Sequence, residues 1–425
     1  PFICSRIVEE VKKRVIIPYT TKHFWWMGKG KEEMCNWTIW CTQNVLLSAF
    51  LLPFSENTKH KVFKKACAST DFFLKDYGED GCCDEGAQYY RHAGLCLYQT
   101  LDILNHITDG YFNSLWDDEK IKNMALYILN VHVDDKYYIN FADCSPVAGR
   151  AGIREYLFGK ACGLDNLAKF AALDYKRNPE KFQPDENNLY YRLQEAFTRK
   201  DILSEDTDAP ILHPHVFYSS VGLWIARNDT YTAAAKCGDN NDSHNHNDTG
   251  SVTLFKNGCP FLADIGVESY TKKTFSAQRY EIWTMQSDYH NLPTINSIMQ
   301  MNGAEYQATD ISHCFTEDGG KISMNIAKAY PSDAHIEKYT RNVILSDSGL
   351  EITDSWSFDD KISHPVILNF ITYEKPAFSE DTPNILRIGA LGSLLLPLDY
   401  QASNIRIEEL PITDPRLMQC WKHSL

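Results

Sequence analysis

The spacing of hydrophobic residues changes near the middle of this 425-residue sequence, and that change limits the fold more than any other feature. Before about residue 200 the apolar positions recur at helical spacing. Ile121, Met124, Ala125, Ile128 and Leu129 are offset by three, four, seven and eight from the first, which places them on one helix face. Leu97, Leu101, Leu104 and Thr108 repeat the pattern, and 161–175 and 189–203 continue it. Loops rich in Gly, Asp and Asn, such as 77–86 and 134–152, lie between these segments. From His215 on, short apolar runs are punctuated by turn signals. Segments 216–227 and 250–256 favour strand, and Asn257-Gly258 marks a hairpin. A second hairpin is marked by Ser346-Asp347-Ser348-Gly349, between 339–345 and 350–356, and further strands are expected at 365–373 and 386–396. Strands that follow one another without helices give antiparallel sheet, not a parallel α/β sheet. The expected fold is therefore α+β and multidomain. A helical domain of toroid or solenoid type spans 1–205, and an antiparallel β-sandwich spans 206–425.

Composition excludes several functional classes. Hydrophobic residues make up 44% and charged residues 23%, which is ordinary for a globular chain. The net charge of −14 argues against a general nucleic-acid binder, which carries a basic footprint. It does not exclude a polyanionic substrate held in a local basic cleft. The strongly apolar run at 45–54 contains Ser48 and Pro53 and is about half the roughly 20 residues a membrane span needs. No membrane span is expected. The 13 cysteines are odd in number, irregularly spaced and without a CxxC pair, so free thiols and a reducing, cytoplasmic compartment are expected. The sequence opens at Pro1 with neither Met nor a signal segment, so a missing N-terminal part is expected, and a periplasmic or secreted location stays open.

Four clusters carry chemistry. The most specific is Ser243-His244-Asn245-His246-Asn247-Asp248-Thr249-Gly250-Ser251. Histidines two apart on extended backbone lie on the same side, where they can share a metal or divide metal and substrate between them. Alone, such a pair is more often two hydrogen-bonded core histidines. Asp264, in the apolar run 261–266, and His290, in Ser287-Asp288-Tyr289-His290-Asn291, complete a donor set that suits Zn²⁺. The second cluster, 80–91, brings Asp80, Asp84 and Glu85 together at a helix start beside Gln88 and Arg91. It reads either as a substrate-carboxylate site or as favourable acids at a helix N-terminus. The third, 136–143, pairs Tyr137 and Tyr138 ahead of Asn140 and Asp143, and presents either a phenol or simple aromatic packing. The fourth, 36–44, combines Asn36, Trp37, Trp40 and Gln43, as a sugar platform does and as a core helix also can.

Taken together, these residues resemble the heparinase II/III-like polysaccharide lyases. The likeness is carried by 244–251, Asp264-Ile265-Gly266-Val267-Glu268, Thr274-Phe275-Ser276, Arg279-Tyr280-Glu281-Ile282-Trp283 and Tyr289-His290-Asn291-Leu292-Pro293. Stretches 36–44, 80–90 and 137–143 look like that family's helical-domain motifs. The resemblance implies an incomplete α/α toroid followed by a β-sandwich, and β-elimination on a uronic-acid-containing polysaccharide or oligosaccharide. It implies Tyr138 or Tyr137 as the base, with Tyr138 preferred, and His244 as the acid. Glu85 would sit at the substrate carboxylate, and His246, Asp264 and His290 would hold a structural zinc. Where some members place a histidine three residues before that glutamate, this chain has Cys82. Neutralising the substrate carboxylate then falls to groups such as Asn36, Gln43, Gln88 and Arg91, with Trp37 and Trp40 as stacking platforms.

Three other readings remain open on sequence alone. One is a metal-dependent hydrolase, which chelation would stop at once. Another is a glycoside hydrolase using Glu85 with a second acid such as Asp143, which forms no unsaturated product. The last is a carbohydrate-binding protein that forms no product of either kind.

Overall fold

The protein is described from a computed structural model covering residues 2–29, 34–178, 188–360, 362–379, 381–382, 384–397 and 405–422. The chain forms two compact units. One comprises Pro1–Cys83, Gln88–Leu129 and Arg150–Leu212, the other Asp84–Ala87, Asn130–Gly149 and His213–Leu425. A single cut near residue 205 does not describe this division. Two short segments from the helical half of the sequence, Asp84–Ala87 and Asn130–Gly149, belong with the C-terminal unit. They carry Glu85, Tyr137, Tyr138 and Asp143.

The first unit is helical. Its main helices are Asn36–Leu51, Glu56–Asp76, Gly94–Ile107, Glu119–Val131, Ile153–Ala161, Asp165–Arg177 and Leu189–Ser204. Val45, Leu46 and Ala49 meet Val62, Ala66, Ile103 and Leu104 in one buried cluster, so apolar spacing on each helix becomes a shared core. Ser55 caps the second of these helices, its hydroxyl accepting from the Thr58 N–H. The helix expected over 161–175 is two helices. The first ends at Ala161, and Gly163, at φ 68°, turns the chain before the next begins at Asp165. Among the described residues no helix is long and apolar enough to cross a membrane.

The second unit is built on antiparallel strands. A five-stranded sheet joins Val216–Tyr218, Leu223–Arg227, Tyr231–Lys236, Val252–Lys256 and Cys259–Leu262 in that order. A four-stranded sheet joins Thr309–Thr316, Gly319–Asn325, Ile336–Ser346 and Gly349–Phe358. The two marked hairpins are present. Lys256 pairs with Cys259 around Asn257 and Gly258, both at positive φ as a type I′ turn requires, and Ser346 pairs with Gly349. The strand expected over 216–227 is instead two strands folded back on each other. Gly222 makes that turn at φ 61°, where any Cβ would lie 2.2 Å from the Gly238 nitrogen. Likewise 386–396 is a hairpin of Ile385–Ile388 and Gly392–Leu395, and within 365–373 the regular strand is Val366–Leu368. Trp224, Ala233, Val252 and Leu254 from the first sheet share a buried cluster with Ile322, Met324, Tyr339 and Val343 from the second.

One buried cation ties this core to the loops beside it. Arg341 is 1% exposed and forks onto Asp354, Nε to Oδ1 at 2.9 Å and Nη2 to Oδ2 at 2.8 Å. Its Nη1 donates to the carbonyls of Gly250 and Asn291 at 2.9 and 2.8 Å. Those two residues follow His246 and His290 closely in sequence. Arg341→Met should therefore leave Asp354 buried without its cation and lower stability by roughly 3–5 kcal/mol. Thermal unfolding followed by circular dichroism measures the loss, and an unchanged midpoint would contradict the role given to Arg341.

Candidate active site

The site gathers around one carboxylate. Asp143 lies in the loop that follows Tyr137–Tyr138, next to Ala142 at φ 52°, and is fully buried. Its Oδ2 lies 2.7 Å from His244 Nδ1 and accepts from the Tyr270 hydroxyl at 3.0 Å. Its Oδ1 lies 3.0 Å from His246 Nε2 and accepts from Arg279 Nη2 at 2.6 Å. Burial alone would raise the Asp143 carboxyl. Hydrogen bonds from His244 and His246, with the charges of His246 and Arg279, outweigh it and hold the group well below the usual carboxylate range. An ionised carboxylate only accepts, so both histidines donate to it. His244 is then left with Nε2, which lies 3.7 Å from Glu85 Oε2. That distance suits an ion pair better than a hydrogen bond. His246 is left with a bare Nδ1, buried and without a hydrogen-bond partner.

The backbone here is irregular and held by side chains. His244 sits at φ 58°. Arg279 fixes the carbonyls of His244 and Asn245, with Nη2 at 2.8 Å and Nε at 3.0 Å, while its Nη1 reaches the Thr274 carbonyl at 3.2 Å. The guanidinium of Arg416 lies over the Tyr270 ring, 5.2 Å from its centroid.

Next to His246 is a second buried pair. His290 Nδ1 is 2.6 Å from Asp264 Oδ2, and His290 Nε2 is 2.9 Å from the Thr284 carbonyl. Asp264 Oδ1 accepts from Asn140 Nδ2 at 3.1 Å and from the Gly266 N–H at 2.9 Å. Burial lowers the His246 pKa. Burial acts the same way on His290, but the charge and hydrogen bond of Asp264 reverse it, so His290 is raised and Asp264 lowered. The His246 and His290 rings lie 5.1 Å apart between centroids. The strand expected to carry Asp264 ends at Leu262, so the carboxylate stands on the loop beyond it. Among the described residues, ligand atoms of three or more His, Cys, Asp or Glu converge within 4.8 Å at His335, Asp359 and Asp360.

Of the residues expected from sequence, Glu85, His244, His246, Asp264 and His290 come together here. The two favoured tyrosines are placed differently. Tyr138 is fully buried, with its ring edge-on to His132 at 5.1 Å, and the Tyr137 ring packs 6.2 Å from Phe255. The phenol beside His244 is Tyr270, two residues beyond the Asp264–Glu268 stretch, and only that adjacency pointed to it. Arg279 stood in the resembling stretches without a role, and Asp143 appeared only as a hydrolase acid. The helical-unit candidates divide in two. Trp37 and Trp40 are 52% and 37% exposed, and Trp40 packs 4.3 Å from the His92 ring. Gln88 is half-buried and Asn36 is buried. Gln43 is fully buried, its Oε1 accepting from the Tyr191 hydroxyl at 2.8 Å. Arg91 donates to the Arg150 carbonyl at 2.8 Å and lies 3.8 Å from Glu155, and Cys82 is buried.

Residues 210–378 match the family model described as heparinase II/III-like, C-terminal. Solved structures similar to this chain include a heparan sulfate lyase, HepC, from Pedobacter heparinus, and a heparinase III. The first has a TM-score of 0.58 at 13% identity, over 87% of this chain and 52% of that one. The second has a TM-score of 0.58 at 15% identity, over 90% and 58%. The chain thus spans a little over half the length of these structures. At such identities the likeness is one of fold. No curated protein matches the sequence.

A neighbouring acid gives a pH-dependent test of this environment. Burial pushes the Asp84 carboxyl up to about 6, and the charge of Asp242 adds to the rise. The folded state then holds this proton more tightly than the unfolded chain, so stability falls as pH rises from about 4 to about 6 and stays reduced above. Asp84→Asn should raise the melting temperature at pH about 7.5 and leave it nearly unchanged at pH about 4. A variant no more stable than the parent at the higher pH would contradict this.

Proposed function

Taking residues 210–378 as a heparinase II/III-like C-terminal domain, we propose that this protein is a polysaccharide lyase acting by β-elimination on a uronic-acid-containing glycosaminoglycan. The helical unit is then part of an α/α toroid, and the two sheets of the second unit are the layers of a β-sandwich. The observation that carries the reading is the buried Asp143, which holds His244 by Nδ1 and so turns its Nε2 toward Glu85, 3.7 Å away.

The chemistry sets three requirements. The C5 proton of the uronate must be removed, the C4–O4 bond must break with a proton delivered to O4, and negative charge developing at the carboxylate must be offset. His244 Nε2 is the ring nitrogen left to exchange a proton with substrate, because Nδ1 is tied to Asp143. We assign it the proton delivered to O4: His244 enters the step with hydrogen on both ring nitrogens and leaves it with hydrogen on Nδ1 alone. Tyr270 is the phenol in the same cluster; to take a proton it must act as its phenolate, which the C5 proton turns back into the phenol, and the Arg416 guanidinium over its ring supplies positive charge beside that phenolate. We assign it the C5 proton, in place of Tyr137 or Tyr138. Glu85, 2% exposed, is assigned to the substrate carboxylate, with which it can share a proton.

Two histidines and a carboxylate are a donor set of the kind zinc takes, and among the described residues they would have to draw closer to hold it, since their ligand atoms do not all lie within 4.8 Å as those of His335, Asp359 and Asp360 do. His290 Nε2 is engaged by a carbonyl and His246 Nε2 by Asp143, which is how ligating histidines are usually oriented; His246 Nδ1 has no hydrogen-bond partner, while His290 Nδ1 bonds Asp264 Oδ2, a contact a metal between them would replace. Asp264 keeps Oδ2 on the same side as His290. His246, Asp264 and His290 would hold the ion, which would supply structural cross-linking of the loops that present His244.

The reading is tested by incubating the protein with a panel of uronic-acid polysaccharides and following ultraviolet absorbance of the unsaturated uronate. Product on one glycosaminoglycan or more is expected, and saturated reducing ends without absorbance would instead indicate a hydrolase. On the active polymer, His244→Ala and Tyr270→Phe should each lose on the order of 10²–10⁴ in rate, while Tyr138→Phe stays near the parent. A substrate with a good leaving group at C4 should restore activity to His244→Ala but not to Tyr270→Phe. A dead Tyr137→Phe or Tyr138→Phe beside an active Tyr270→Phe would return the base to the earlier pair. Removing metal with a chelator should lower the melting temperature, with activity declining as the fold loosens, and protein purified without stoichiometric metal would overturn the zinc assignment.

A further inference from the structure

Asp143 touches both histidines of the His244-Asn245-His246 motif, and it does so through different ring nitrogens: Nδ1 of His244 and Nε2 of His246. We infer that Asp143 is a positioning residue that fixes the two histidines in opposite tautomers, presenting Nε2 of one for proton transfer and Nδ1 of the other for metal. The inference rests on the lyase reading of the cluster, but its decisive readouts are nitrogen protonation and metal affinity, not turnover.

Histidines two apart on regular extended backbone would turn the same edge to a neighbour. Here His244 is at φ 58°, outside the extended region, and the rings approach the carboxylate by different edges. Each carboxylate oxygen then receives two donors: His244 and Tyr270 on Oδ2, His246 and Arg279 on Oδ1. A carboxylate offers about four lone-pair sites, so Asp143 is saturated and has none left for a substrate. Its effect on chemistry passes through the histidines. An amide in its place offers one accepting oxygen and one donating nitrogen. With the nitrogen toward Oδ1's partners it meets Arg279 and the His246 N–H, and with it toward Oδ2's partners it meets the His244 N–H. One histidine must then turn over to its other tautomer.

Long-range proton–nitrogen correlation spectra of wild-type protein labelled with ¹⁵N-histidine read the tautomers directly, with His244 and His246 assigned from His244→Gln and His246→Gln. Hydrogen on Nδ1 of His244 and on Nε2 of His246 is expected. A bare Nδ1 on His244, or a bare Nε2 on His246, overturns the proposal. In Asp143→Asn one of the two patterns should change. Zinc affinity measured by competition with a chromophoric chelator should fall about 10–100-fold, the usual scale for losing such a support. The rate on the active polysaccharide should fall in kcat with KM within a few-fold. Unchanged tautomers and zinc affinity in Asp143→Asn overturn the proposal even if the rate drops. Should that variant not fold, the wild-type spectra decide alone. Should the expected tautomers appear in a protein that makes no unsaturated product on any polymer, the lyase reading falls and the positioning role stands.

Discussion

The second unit is organised around a charge that water no longer reaches. An isolated carboxylate taken out of water loses several kcal/mol, and this loss is made good only by close, well-aligned donors. Asp143 has four, from residues 244, 246, 270 and 279. None of these lies near it in sequence, so the loops that contribute them are held together by its need for partners. The same need explains why Asn130–Gly149 belongs with the sheets and not with the helices that flank it. A stretch carrying an unsatisfied Asp143 in the helical unit would be destabilising.

Arg341 repeats the logic with the opposite sign. Its guanidinium is met by Asp354, its partner on the adjacent strand of the four-stranded sheet, and by the Gly250 and Asn291 carbonyls. Asn291 in turn donates to the Val252 and Ala263 carbonyls at 3.0 and 2.9 Å. A chain of buried polar contacts thus runs from sheet to loop to the His290–Asp264 pair. Networks of this kind are rigid when every member is satisfied and costly when one is removed. That rigidity suits a cluster in which His244 and His246 meet Asp143 through particular nitrogens.

Much of the mixed helical and antiparallel organisation was legible in the sequence because it follows from period and turn chemistry. The Leu97–Leu104 spacing, the Asn257-Gly258 turn and the Ser346–Gly349 turn are local signals, and each appears where it was expected. The misreadings are also local. Residues 161–175 and 216–227 each read as one element because a single glycine, Gly163 or Gly222, was absorbed into an apolar run. The chemical cluster was legible in part. His244, His246, Asp264 and His290 stand in conspicuous motifs. Asp143, Tyr270 and Arg279 do not, since their importance lies in Tyr270 and Arg279 converging on Asp143 from 127 and 136 residues away. The preference for Tyr138 over Tyr137 came from nearness in sequence to 140–143, and nearness says nothing about which face a residue takes on a short strand. Tyr138 is turned into the core against His132.

The backbone at this cluster shows where the stability of the polar network goes. Ala142, His244 and Asn291 all hold positive φ, at 52°, 58° and 58°. Residues with a Cβ in this region are strained by roughly 1–3 kcal/mol, and they persist only where their surroundings fix them. Each of the three is next to, or is itself, a residue of the cluster. Ala142 precedes Asp143, His244 opens the His-Asn-His motif, and Asn291 follows His290. Regular strand would carry His244 and His246, two apart, to the same face in like orientation, whereas here they reach one carboxylate by different nitrogens. The left-handed residues make that arrangement possible, and the buried hydrogen bonds of Asp143, Arg279 and Arg341 hold them in it. Unfavourable backbone at three positions thus sits beside the buried ion pairs of Asp143 and the Arg341 hydrogen bond to Asn291, whose formation offsets its strain.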